Sequence, residues 1–215
     1  MATHTEEAPE GETGEARAEA AKRLTMFVDA GIAIALTLLA LDLPVPTGGT
    51  TAAMLRSVSD HGTEYVGFVL SFVVIAAHWR ANHEIFGYVR ALNSRLTTLT
   101  LLWLFIQVLM PFATRVITAE GAFPLRFSMY AVVQVFASVS TALIIREIRR
   151  QHLYRADGPP LVFAQHLVRS ICLAAVFAVS VPVAFLTEST GAYLCWLAAP
   201  IVLTLARRIQ GRGGK

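Results

Sequence analysis

The chain has 215 residues, 55% hydrophobic and only 15% charged, with a mean hydropathy of +0.56. A soluble domain carries about a quarter charged residues, so this composition excludes a water-soluble globule and, over most of the length, disorder. Two cysteines exclude a disulfide scaffold, and the net charge of +3 bears on where basic residues fall between apolar runs, with no nucleic-acid partner expected. The fold class is all-α, that of a polytopic membrane protein.

Residues 1–21 hold Glu6, Glu7, Glu10, Glu12, Glu15 and Glu19 among Gly, Thr, Ala and Pro. Such a stretch buries too little surface to offset its ordering entropy, which predicts a disordered acidic tail. Its acidic character and the lack of a cleavage pattern exclude a signal peptide, so the first apolar run is a retained helix.

A hydrocarbon core about 30 Å thick needs roughly 20 apolar residues in a helix. Six stretches meet or approach that length: about 24–43, 63–82, 96–117, 126–146, 166–186 and 191–207. They predict one six-helix domain over 22–209, followed by a short basic tail, 210–215. Pro111, Pro182 and Pro200 fall inside these runs, where kinks are expected. With six spans, 15 of the 18 Lys and Arg lie on one side and only Arg56, Arg115 and Arg126 on the other. The positive-inside rule then puts both termini in the cytoplasm.

Polar groups inside membrane helices are costly and mark function or helix contact. At about 100° per residue, Phe27, Ile34, Thr37, Leu38 and Leu41 form one stripe of the first span. Ile32, Leu36, Leu39 and Leu43 form the opposite stripe, with Asp29 nearer to it. Periodicity alone leaves open which stripe faces lipid, partner or pore.

Arg23-x-x-x-Phe27-Val28-Asp29, followed by Ala33-Ile34-x-x-Thr37-Leu38-Leu39, resembles the signature that opens the transmembrane protein 175 family of potassium channels. The family signature has Ser where this chain has Val28, so any hydrogen bond of that hydroxyl is missing here. On the second span, Phe72-Val-Val-Ile75-x-x-x-Trp79-x-x-x-His83-x-x-Phe86 resembles the family's Trp and His pattern, and Asn93 and Pro111-Phe112 fit the third. The specific motifs sit in the first ~112 residues, while the last three runs match only in number and hydrophobicity.

The resemblance implies a bacterial potassium channel of the inner (plasma) membrane, a homotetramer in which each first helix lines a central pore. Carried over by position, the filter is rings of Ile34, Leu38 and Leu41 with a hydroxyl layer at Thr37. Narrow apolar rings force a permeating ion to shed water. The ion cheaper to dehydrate then passes better: K+, with Rb+ and Cs+, over Na+. Arg23, Phe27, Asp29, Trp79, His83 and Asn93 become a structural or gating motif, in which a carboxylate at Asp29 requires partners from Trp79 and His83. Arg23 falls near the inner mouth, and a ring of Asp42 would concentrate cations at the outer one.

Plainer readings stand beside these. The aliphatic row is also what ordinary helix packing uses, Thr37 can back-bond to the Ala33 carbonyl, and Asp29 can pair with a basic residue at the helix start. His78 and His83 lie about 140° apart and cannot clamp one metal; no metal site or cofactor is expected beyond transient K+. Cys172 and Cys195 read as buried small residues, Glu147 as part of a solvated helix end, and Gln107 and Gln134 as interhelical hydrogen-bond partners. The alternative function is a proton-coupled transporter or proton channel using Asp29 and His83. No nucleophile elbow, phosphate-cradling glycine run or carboxylate cluster supports an enzyme.

Overall fold

The structure, a computed structural model, describes residues 10–155, 160–187, 189–199 and 203–204. It contains α1 (Glu10–Leu41), α2 (Thr51–Asp60), α3 (Gly62–Phe86), α4 (Ser94–Val108), α5 (Met110–Thr118), α6 (Phe123–Arg150), α7 (Pro160–Leu186) and α8 (Ser189–Leu197). Five stretches among the described residues are long and apolar enough to cross a membrane: Ala18–Leu41, Gly62–Phe86, Ser94–Thr118, Phe123–Arg150 and Leu161–Leu186. The chain is a multi-pass membrane protein. The sixth expected run, 191–207, contributes α8, and most of the chain beyond Ala199 lies outside the described residues.

The expected acidic tail divides. Residues 1–9 lie outside the described residues, whereas 10–21 are helical and continue into the first span. Ala and Glu, both good helix formers, dominate this stretch from Glu15 onward, and the adjoining span supplies the nucleus that an isolated helix lacks.

The span 94–118 is two helices in line. Pro111 lies in the first turn of α5, where its missing N–H costs least, and the joint falls at Leu109. Backbone bonds from Leu109 N to Phe105 O (3.1 Å) and from Ala113 N to Leu109 O (3.0 Å) carry the ladder across the joint.

The helices pack through small residues and hydroxyls, as expected where lipid offers no hydrophobic drive for association. Gly31 lets α1 meet α4; a Cβ there would stand 2.8 Å from the Leu104 side chain. Gly67 plays the same part between α3 and α5, against Thr118. Thr114 Oγ1 donates to Ser71 Oγ at 2.7 Å, and Ser71 Oγ lies 3.2 Å from Tyr130 Oη, joining α3, α5 and α6. Gln107 and Gln134 are fully buried; Gln107 Nε2 lies 3.1 Å from His78 Nδ1, and Gln134 Nε2 donates to Met110 Sδ at 3.3 Å.

The ends are laced together. Arg126 donates from Nη1 to Ile117 O (2.9 Å) and Ala119 O and from Nη2 to Gly121 O (3.1 Å), closing the end of α5 with a cation where carbonyls are orphaned. At the opposite end, Arg90 N donates to Leu153 O and Arg155 N to Tyr88 O, both at 2.9 Å. This pair of bonds ties the α3–α4 turn to the segment after α6.

Two side chains stand deeper than expected. Glu147 is buried, with 4% of its surface exposed, not solvated at a helix end. Asn93 Nδ2 donates to its Oε1 at 2.8 Å and Arg95 Nε lies 3.5 Å from its Oε2. Arg169, within a turn of the start of the expected run 166–186, lies about two and a half turns into α7, which begins at Pro160. Cys172 and Cys195 are half-buried, not buried.

Candidate pore helix and its polar support

One face of α1 is used within the protomer. Val28, Ile32, Ala35 and Leu39 recur at intervals of four, three and four residues, one helical face, and are buried. They sit against α3, α4 and α5. The other face is largely exposed among the described residues: Phe27 (59% exposed), Ile34 (60%), Leu38 (45%) and Leu41 (76%) stand outward with Met26. Leu36 and Leu43 are half-buried on the packed side.

Thr37 lies on the outward face, and its Oγ1 donates to the Ala33 carbonyl. The back-bond does not retire the hydroxyl. With its proton committed to the backbone, the oxygen presents only lone pairs outward.

Asp29 turns toward α3. Trp79 Nε1–H donates to its Oδ1 at 2.8 Å, and His83 Nδ1 lies 3.8 Å from its Oδ2. The Trp79 and His83 rings lie 5.5 Å apart, one helical turn from each other. The three side chains meet at the protomer surface and not in a closed interior, since 37% of Asp29 and 58% of His83 remain exposed. Arg23 is exposed on the same helix, between the buried Ala21 and the half-buried Leu24 of its packed face.

Asp42 is held away from the aliphatic row. Its Oδ1 lies 3.6 Å from Arg115 Nη1, a pairing that joins the C-terminal end of α1 to α5. Asn93 lies apart from the Asp29–Trp79–His83 group and serves the start of α4. Its Oδ1 accepts from Leu96 N at 2.7 Å as the N-cap of α4, and its amide holds Glu147. Arg115 and Glu147 are the partners that sequence spacing could not supply, since each lies more than 50 residues from the group it binds.

The family model described as endosomal/lysosomal potassium channel TMEM175 matches residues 23–111, the part that holds Arg23, Asp29, Trp79, His83 and Asn93. A Streptomyces collinus protein named a potassium channel is 30% identical over 144 residues, covering 64% of this chain and 70% of the relative. The chain belongs to the TMEM175 family. A Chryseobacterium protein also named a potassium channel is 30% identical over 92 residues, 43% of this chain and 46% of that one. The fold of this TMEM175 family member matches the crystal structure of a lysosomal potassium-selective channel TMEM175 homolog from Chamaesiphon minutus, with a TM-score of 0.67 at 20% identity. That match covers 92% of this chain and all of the other. A variant of the potassium channel MtTMEM175 matches with a TM-score of 0.63 at 14% identity, over 88% and 93% of the two chains.

Proposed function

We propose that this protein is a potassium-selective channel that conducts passively, built as a homotetramer around four copies of α1. The observation that carries the reading is the division of α1 into two apolar faces. The Val28–Leu39 face is consumed inside the protomer, whereas Ile34, Leu38 and Leu41 stand largely exposed among the described residues and share their face with Thr37. Membership of a family whose relatives are named potassium channels supports assigning that face to an axis and not to lipid.

At such an axis the filter is a stack of aliphatic rings. An ion passing Ile34, Leu38 and Leu41 sheds water with no carbonyl cage in exchange, so K+, Rb+ and Cs+ enter at lower dehydration cost than Na+. The outward lone pairs of Thr37 replace part of the lost hydration and favour a cation over an anion. The Asp29–Trp79–His83 group orients α1 against α3 from behind the pore face. The basic residues on the short connections put the termini on the cytoplasmic side of the plasma membrane.

Purified protein in liposomes loaded with K+ tests this. The gradient should dissipate with only an ionophore present to balance charge, and more slowly when Na+ replaces K+. Flux that requires an imposed proton gradient would replace this reading with the proton-coupled one.

A further inference from the structure

Helix α6 is longer than the membrane interior is thick. Its 28 residues extend about 42 Å, against about 30 Å of hydrocarbon. Arg126 in its first turn and Arg146 stand about 30 Å apart along the axis. With Arg126 among the headgroups of one leaflet, Arg146, Arg149 and Arg150 reach those of the other. All three are exposed, and their spacing of three and four residues gathers them on one side of the last turn.

The chain then folds back. His152 takes a left-handed conformation (φ 50°), Leu153 N donates to Ile148 O at 3.0 Å and His152 N to Arg149 O at 3.4 Å, the bond pattern that ends a helix at a left-handed residue. Residues 153–155 thereby run antiparallel to 88–90, with Val89 opposite Tyr154. Val89 is buried, and alternation along an extended strand puts Arg90 and Arg155 on the other face, diagonal neighbours with Cα atoms about 7–8 Å apart. Tyr88 and Tyr154 brace the bridge against the buried Phe163 ring of α7, at 6.2 and 5.3 Å between centroids.

Arg90 and Arg155 are exposed, and neither makes an ion pair among the described residues. The carboxylates that α3 and α6 bring to this end are already taken, Glu84 by His166 at 3.3 Å and Glu147 by Asn93 and Arg95. Two guanidiniums set side by side by main-chain bonds offer paired N–H donors to one phosphate.

We propose that Arg90 and Arg155 clamp the phosphate of an anionic phospholipid headgroup, with Arg146, Arg149 and Arg150 drawing such lipids to the spot. The headgroup level of the site favours a lipid over soluble phosphate. The acidic run from Glu10 to Glu19 rides on α1, which packs chiefly against α3, α4 and α5, so a lipid is favoured over that run as well. The site needs only the membrane crossing and is independent of the conduction path.

Native mass spectrometry of the full chain in detergent, with phosphatidylglycerol and phosphatidylcholine of one acyl length in equal amounts, tests the proposal. Phosphatidylglycerol adducts should exceed phosphatidylcholine adducts at least about fivefold. Arg90→Gln with Arg155→Gln leaves the main-chain bridge intact and should bring the two lipids within about twofold; the double Lys variant, which keeps the charge, should fall between. Lys22→Gln with Arg80→Gln removes equal charge elsewhere and should keep the preference. An equal fall in that control overturns the clamp in favour of overall charge, and a wild type that takes both lipids alike overturns the lipid site. Displacement of the lipid by inorganic phosphate would assign the clamp to a soluble anion. A preference that emerges only after deletion of residues 1–9 would assign it to the acidic tail.

Discussion

Trp79 on α3 donates its indole N–H to Asp29 Oδ1 on α1 at 2.8 Å, so the carboxylate of the signature motif is aimed away from the Ile34/Leu38/Leu41 face of its own helix. Hydrogen bonds to a charged acceptor are worth about 1.5–3 kcal/mol when buried, and the partial exposure here reduces that toward about 1 kcal/mol. Trp79→Phe keeps an aromatic ring and removes the donor. It should lower the yield of assembled channel, or the open fraction, while leaving the K+/Na+ permeability ratio unchanged. Asp29→Asn keeps an acceptor for Trp79 and should be the milder of the two. Normal assembly with lost selectivity in either variant would place Asp29 on the conduction path.

The aliphatic row makes the complementary prediction. Leu38 and Leu41 are exposed among the described residues, so truncating either should cost the subunit fold little, in contrast to the roughly 2–5 kcal/mol lost when a core leucine becomes alanine. Leu38→Ala or Leu41→Ala should instead alter conductance or the K+/Na+ ratio in single-channel recordings. Unchanged currents in both variants would remove these residues from the filter.

Asn93 joins two structural duties, and its replacement should reveal both. Asn93→Ala removes the cap of α4, worth about 1 kcal/mol, and a hydrogen bond to the buried Glu147 carboxylate, worth about 1.5–3 kcal/mol. A thermal unfolding series in detergent should rank wild type above Asn93→Ser, which keeps the cap alone, and that variant above Asn93→Ala. If Ser and Ala melt together, the cap contributes nothing.

Gly67 faces Thr118 at a distance no Cβ tolerates. In an exposed helix, Gly→Ala gains up to about 1 kcal/mol of propensity. Here the α3–α5 approach reverses the sign, and Gly67→Ala should destabilise the folded chain. Adding Thr118→Ser, which deletes the offending methyl, should recover most of the loss in the same melting assay. Failure of the second change to rescue would show that the collision is relieved elsewhere.

The spans were legible because hydropathy and helix length are local properties, and five of the expected runs coincide with long apolar helices among the described residues. The partnership of Asp29 with Trp79 and His83 was legible for another reason: a carboxylate in an apolar run must find donors, and the second span carried them at one-turn spacing. The buried glutamines obeyed the same logic. What failed were features decided by contacts distant in sequence. Glu147 sits among arginines in the chain, so it resembles a solvated end until Asn93, 54 residues away, is brought to it. Nor does anything near Asp42 in the chain announce Arg115, which α5 brings to it from 73 residues away. Helix α2 was missed because ten amphipathic residues between two spans give no long apolar run, and its start depends on Thr50 accepting from Ala53 N at 3.2 Å.

The joint at Leu109 gives that last ion pair a mechanical meaning. The short helix beyond it is a lever arm nine residues long, pivoted where proline has removed one strut from the ladder, and its far half carries the guanidinium that grips the tip of α1. The position of the tip of α1 is thereby tied, through one exposed ion pair, to the angle at which the two halves of this span meet.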